Sequence, residues 1–152
     1  MLLAVAACAA TLAATATLAA TTTGDMERIQ YSIAVKKMEI MSRAVLLPPA
    51  ESDAFWPVYR DYERERTQIE ARTQGLVQDY MKSYETLDDA KAQELLDRLF
   101  ELHEQRLVLL RKYAAQLQAK LPMRKVDGFV LTEFQLMWLQ DVQRSVNLGL
   151  IR

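Results

Sequence analysis

From residue 25 onward the apolar positions fall at steps of three and four, the period of an α-helix. Met26, Ile29, Ile33, Met38, Met41 and Val45 form one such series, with Lys36, Lys37, Glu39 and Arg43 interspersed. They predict a first helix over about residues 26–44, with Asp25 as its N-cap. Pro48-Pro49 ends it. A second helix opens at about Pro49, with Glu51 and Asp53 in its first turn, where the dipole favours acids. It runs to about Ser83 with Phe55, Val58, Tyr62, Ile69, Leu76, Val77, Tyr80 and Tyr84 on its stripe, which is interrupted at Glu65 and Arg66. Pro57 either kinks this helix or marks its true first turn. Thr86 can cap a third helix, with Asp89 in the acidic box position. This helix spans about Leu87 to Lys120 and stops before Pro122, with Leu96, Leu99, Phe100, His103, Leu107, Leu110, Ala114, Leu117 and Leu121 on its stripe. A fourth covers about Val126 to Ser145, with Phe129, Val130, Phe134, Met137, Trp138 and Val142 on one side, and Asn147-Leu148-Gly149 closes it.

Two helices of some thirty residues joined by a short turn lie antiparallel. Each is about 45–50 Å long. A turn centred near Thr86 pairs residues whose numbers sum to roughly 172. Phe55 and Tyr59 then face Tyr113 and Leu117, and Glu65 and Arg66 face His103 and Arg106. The run Phe55-Trp56-Pro57-Val58-Tyr59-Arg60-Asp61-Tyr62-Glu63-Arg64-Glu65 packs four rings and a proline and then turns strongly charged. It anchors the open end of the hairpin, with the first and fourth helices as its cover. The expected fold is all-α: a long antiparallel helical hairpin with shorter N- and C-terminal helices, four helices in all.

Composition agrees. The chain has 152 residues, enough for one domain with a modest core. Only four Gly and four Pro are present, too few for an all-β fold with many tight turns. A net charge of −1 gives no overall electrostatic reason to expect nucleic acid.

Residues 1–24 differ in kind: Leu, Ala, Val and Thr with one Cys, and no Asp, Glu, Lys or Arg. This is the pattern of a secretory signal, although the usual basic start is missing, so the true start lies upstream or the segment is atypical. Small residues at Ala14 and Ala16, or around Ala19 and Ala20, can serve a signal peptidase. Val5-Ala6-Ala7-Cys8 resembles a bacterial lipobox, with Cys8 as candidate lipid anchor, and that reading needs an upstream start. The other reading is a plain transmembrane anchor, against which alanine and threonine count as weak membrane formers. Residues 25–152 are then a single helical domain, without a Cys once the leader is removed.

Catalytic motifs are absent. A single His excludes a zinc site built on two or more histidines of one chain. His103 with Glu101, Glu104 and Asp97 is the candidate for a mixed metal site, against a seam histidine hydrogen-bonded to Glu65 or another polar neighbour. The seven Met are scattered on helix faces and fit core packing better than copper binding. Asp88-Asp89 sits at a helix start, where capping explains it. No glycine-rich phosphate loop and no Ser/His/Asp or Cys/His set is available. Arg60, Arg64, Arg66, Arg72 and Lys82 interleave with Asp61, Glu63, Glu65, Glu70 and Asp79 as a solvated helix face does. An enzyme is therefore not expected, and no cofactor.

Leu47-Pro48-Pro49-Ala50-Glu51 leading into Ala54-Phe55-Trp56-Pro57-Val58-Tyr59 resembles the Leu-Thr-Pro-Glu-Glu…Phe-Trp-Pro-x-Tyr opening of exported helical proteins related to the Spy/CpxP group. The resemblance covers roughly Met38 to Val142. Pro48 stands where the group has Thr, and a Leu-Thr-x-x-Gln match occurs late, at Leu131-Thr132-Glu133-Phe134-Gln135. Members are periplasmic chaperones and envelope-stress or metal sensors built from long helical hairpins that often dimerise. The resemblance implies an exported periplasmic or envelope protein that binds unfolded or regulatory protein partners, with Phe55, Trp56, Tyr59 and Tyr62 as candidate partner-binding residues. A metal-responsive sensor and a structural protein that dimerises through the hairpin are the alternatives.

Overall fold

A computed structural model describes residues 35–147, and every described element is helical. The candidate leader, Cys8, Asp25 and the apolar positions up to Ile33 lie outside the described residues. Contacts divide the chain into Met1–Lys36 and Lys37–Arg152, and all packing given below lies within the second unit. Four helices follow one another: α1 over 35–45, α2 over Pro49–Ser83, α3 over Asp89–Gln118 and α4 over Met123–Asn147.

The first helix stops in a left-handed residue. Leu46 has φ 51°, and its N–H donates to the Ser42 carbonyl at 3.2 Å. An αL residue after the last turn closes a helix, usually as Gly. Here the freed carbonyls of Val45 and Leu46 are taken by the Lys125 ammonium, which reaches over from α4. The second helix has no side-chain cap. Pro48 precedes it, Pro49 lacks an N–H to satisfy, and the N–H groups of Glu51 and Ser52 donate to the Pro48 carbonyl. Pro57 lies inside this helix.

The turn is longer than the sequence pattern predicts. Tyr84–Thr86 forms a 3-10 turn, and Thr86 does not cap α3. Asp88 does, accepting from the Lys91 N–H at 2.7 Å. The centre of the hairpin moves toward Asp88, so Glu65 meets Lys112 and Tyr113, and Asp79 meets Arg98. Glu65 and Arg66 therefore do not face His103.

Along the hairpin, α2 presents Phe55, Val58, Tyr59, Tyr62, Arg66, Ile69, Thr73 and Leu76 inward. From α3 come Leu95, Leu102, Arg106, Leu109, Leu110, Tyr113 and Leu117. Of the predicted α3 stripe, Leu110, Leu117 and Leu121 are buried, whereas Leu96, Leu99, Phe100, His103 and Leu107 face solvent. Similarly, α4 buries Val126, Phe129, Glu133 and Met137, and turns Phe134 and Trp138 outward. Charged pairs and rings bridge α2 to α4: Glu70 to Arg144, Tyr62 to Glu133, Phe55 to Phe129. Near its open end the hairpin is thus part of a four-helix arrangement. Side-chain links from α4 reach Glu70 and Arg106 along it.

Two glycines lie in helix interiors. A methyl group on Gly128 would meet the Ala44 carbonyl oxygen at 3.5 Å and Val45 Cα at 3.7 Å, ordinary contact where α1 crosses α4. One on Gly75 would meet nothing within 4 Å. Glycine costs a helix interior about 1 kcal/mol relative to alanine. Gly75→Ala should therefore raise the urea midpoint by an amount worth about 0.5–1 kcal/mol with an unchanged slope. A lower midpoint would mean that the helix needs backbone freedom at this point.

Candidate functional site

The predicted partner-binding rings are core. Phe55, Tyr59 and Tyr62 are buried, and Trp56 is partly so. They pack edge-on around Phe129, whose ring centroid lies 6.1 Å from Phe55, 6.2 Å from Tyr59 and 5.3 Å from Tyr62. Such edge-to-face pairs add to the hydrophobic gain of burying the rings.

Beneath these rings lies a buried ionic network that the apolar pattern does not announce. Glu133 is 0% exposed. Its carboxylate accepts from Lys37 Nζ at 3.1 Å, Tyr62 Oη at 2.9 Å and Tyr59 Oη at 3.3 Å. Lys37 also donates to Glu63 at 2.6 Å, and Arg66 holds the same carboxylate with two hydrogen bonds of 2.9 and 3.1 Å. One turn further along, Glu70 lies between Arg66, Arg106 and Arg144, and Asp141 pairs with Arg106 and Arg144. Far from forming a solvated face, Glu63, Arg66 and Glu70 knit the helices together. The signal was positional: Lys37 stands four residues before Met41, and Glu133 four residues after Phe129, each on its helix's inward line.

Burial raises the Tyr59 and Tyr62 hydroxyls well above the ordinary phenol range, and the Glu133 charge raises them further. Tyr113, through burial and its bond to Glu65, is pushed up to about 12. Burial alone would raise Glu63, but the Lys37 charge and the Arg66 hydrogen bonds hold it below its ordinary 4.5. A carboxylate depressed in the fold stabilises it above its unfolded pKa, and that contribution is lost as pH falls through the folded value. Thermal melts should therefore show Tm falling on acidification below about 4.5, the usual carboxyl value. Glu63→Gln should lower Tm at neutral pH and flatten that acid limb. An acid limb as steep in Glu63→Gln as in the parent would assign it to other carboxylates.

The metal candidates are not brought together. His103, Glu101 and Glu104 are all exposed on α3, and Glu101 accepts from Gln105 at 2.8 Å. Among the described residues no three His, Cys, Asp or Glu side chains gather as a metal site would require. Exposed as it is, His103 is no seam residue either, and Glu65 is taken by Lys112 and Tyr113. Among the described residues no helix is long and apolar enough to cross a membrane.

What remains open to a partner lies on the hairpin's outer surface. A groove of about 340 Å³ runs between α2 and α3 toward the turn, lined by Leu76, Val77, Tyr80, Leu87, Leu95 and Leu99, among others. It continues onto the exposed α3 face. Leu96 is 43% exposed and Phe100 63%, and Leu99 and Leu107 are open too. On α4, Trp138 is 65% exposed, and the Arg106–Asp141 pair sets it within a turn of the level of Leu107. Large contiguous apolar patches mark sites where soluble proteins meet partners. The sequence pattern had assigned these residues to the core. No protein-family model matches this chain, and neither does any curated protein or solved structure.

Proposed function

We propose that this chain is an exported envelope protein of the Spy/CpxP type, which holds unfolded or regulatory protein partners on its helical hairpin. The observation that carries the reading is the apolar surface left open along α3 and in the hairpin groove, from Tyr80 and Leu96 to Leu107. A closed bundle has no use for five large apolar side chains at its surface, whereas a holding protein needs a surface that accepts many apolar segments. The uncharged start, residues 1–24, supports export, and the opening Leu47–Tyr59 supports the group. The periplasm or envelope is the corresponding location, and no catalytic step is part of the reading.

The test is suppression of aggregation. A chemically unfolded client diluted into buffer should scatter less light when the protein is present in near-equal amount. Phe100→Ser, an exposed position, should weaken that protection while leaving the far-ultraviolet spectrum intact. Unchanged client aggregation at excess protein would remove the reading. Fractionation with N-terminal sequencing tests the location: an unprocessed chain in the cytoplasm would end the export proposal.

A further inference from the structure

We infer that the stripe on α3 receives a basic, amphipathic helical segment of another protein, a reading that rests on the partner-holding function proposed above and names the partner's chemistry. Its length comes first. Leu96, Leu99, Phe100, His103 and Leu107 share one side of α3, and the steps from Leu96 to Leu107 at 1.5 Å each span about 17 Å, or some three helical turns. The adjoining groove between α2 and α3 is the shape a third helix fills, with its apolar side chains laid between two ridges. Leu76, Val77, Tyr80 and Leu95 form its floor and wall.

The rim gives the sign of the partner's charge. Asp97 and Glu104 stand seven residues apart along the edge of the stripe, and Glu101 lies between them, further round the helix. Asp97 accepts only from the Gln93 amide, at 2.8 Å, and neither it nor Glu104 has an ion-pair partner among the described residues. The cations nearby are committed elsewhere: Arg98 to Asp79 and Glu94, Lys91 to Glu94. On α2 the positions beside Val77 and Tyr80 are Gln74, Gln78 and Met81, and Tyr84 follows in the 3-10 turn, all uncharged. Arg111 closes the row only beyond Leu107. Apolar ground edged by unpaired carboxylates complements a segment whose leucine-like face is flanked by Lys or Arg. A second copy of this chain is a poor occupant. Two-fold pairing through the stripe sets Leu96 across from Leu107 and brings Asp97 beside Glu104 of the other copy, and these repel.

Three labelled helical peptides of equal length decide the matter when titrated against the full chain: leucine with lysine, leucine with glutamate in the same pattern, and serine with lysine. The leucine–lysine peptide should bind about tenfold tighter than the leucine–glutamate peptide at low salt, the scale expected from two rim carboxylates, with the ratio shrinking as salt is added. The double variant Asp97→Asn with Glu104→Gln should lose most of that ratio with an unchanged melt. Leu96→Ser with Phe100→Ser should release both leucine peptides. Equal binding of the two leucine peptides would overturn this inference and leave the holding function standing. Binding of the serine–lysine peptide as tight as the leucine–lysine peptide would overturn it as well, since charge alone would then suffice. A dimer in sedimentation that Phe100→Ser dissociates would assign the stripe to a second copy. If no peptide binds and aggregation is not suppressed, both readings fall together.

Discussion

Replacing Glu133 with alanine is expected to cost about 3–5 kcal/mol, as removing one member of a buried ion pair generally does. The carboxylate is wholly enclosed and accepts from a lysine and two tyrosines. Without it the Tyr59 and Tyr62 hydroxyls lose their acceptor in a place water does not reach, and Lys37 keeps only Glu63. Each stranded polar group costs about 1–3 kcal/mol. Against a domain stability of about 5–15 kcal/mol the variant should sit near its unfolding threshold at room temperature. The informative comparison is the fully apolar replacement: Lys37→Met, Glu133→Leu, Tyr59→Phe and Tyr62→Phe together. This should recover most of the loss, because ions are costly to bury and their attraction seldom does more than offset that cost. Urea titrations of the two variants settle it. A Glu133→Ala midpoint close to the parent's would show that the network contributes little.

The second large effect belongs to Phe129. Its ring touches those of Phe55, Tyr59 and Tyr62 at T-shaped angles, and it is fully buried. Truncation to alanine removes the transfer energy of the ring and leaves a hole that three stiff rings cannot collapse around, at about 3–5 kcal/mol. Trp138→Ala, equally drastic on paper, should stay within about 0.5 kcal/mol because that ring is already in water. Trp56→Ala should fall between them, its ring packed against Phe55 and Tyr59 yet partly open. Melts of the three variants in that order would support the packing, and a severe loss from Trp138→Ala would contradict it.

These residues also show where sequence pattern carries the fold and where it stops. The bounds of α2, its inward stripe from Phe55 to Leu76 apart from Tyr59, and the all-helical hairpin follow from apolar spacing and the prolines at 48 and 49, whereas Tyr80 and Tyr84 turn out exposed. The faces of α3 and α4 follow only in part. Leu110 and Leu117 of the predicted α3 stripe and Phe129 and Met137 of the predicted α4 side are buried, whereas Leu96, Leu99, Phe100 and Leu107 on α3 and Phe134 and Trp138 on α4 face solvent. In α3 the inward line includes Arg106, which Glu70 and Asp141 neutralise. In α4 it includes Glu133, neutralised by Lys37 from a helix 96 residues away in the chain. A charge whose partner sits on another helix looks like surface when its own helix is read alone. The same misreading concealed the candidate site, since the residues displaced from the predicted core are those left open to partners. Likewise the turn register depended on Asp88 and a single 3-10 turn, which no periodicity records.

The uneven build of the hairpin has a consequence for its motions. Rings and ion pairs from four helices clamp the half near Tyr62, whereas Leu76 and Leu95 pack nearer the turn, beyond Glu70 where Arg144 ties α4 to the hairpin. Free energies of local opening differ along a structure according to how many buried contacts each segment must break. Amide protons of the turn-proximal half should exchange with solvent sooner than those around Tyr62 and Tyr113. The end that carries the groove can then breathe, or close around a guest, without the aromatic end giving way.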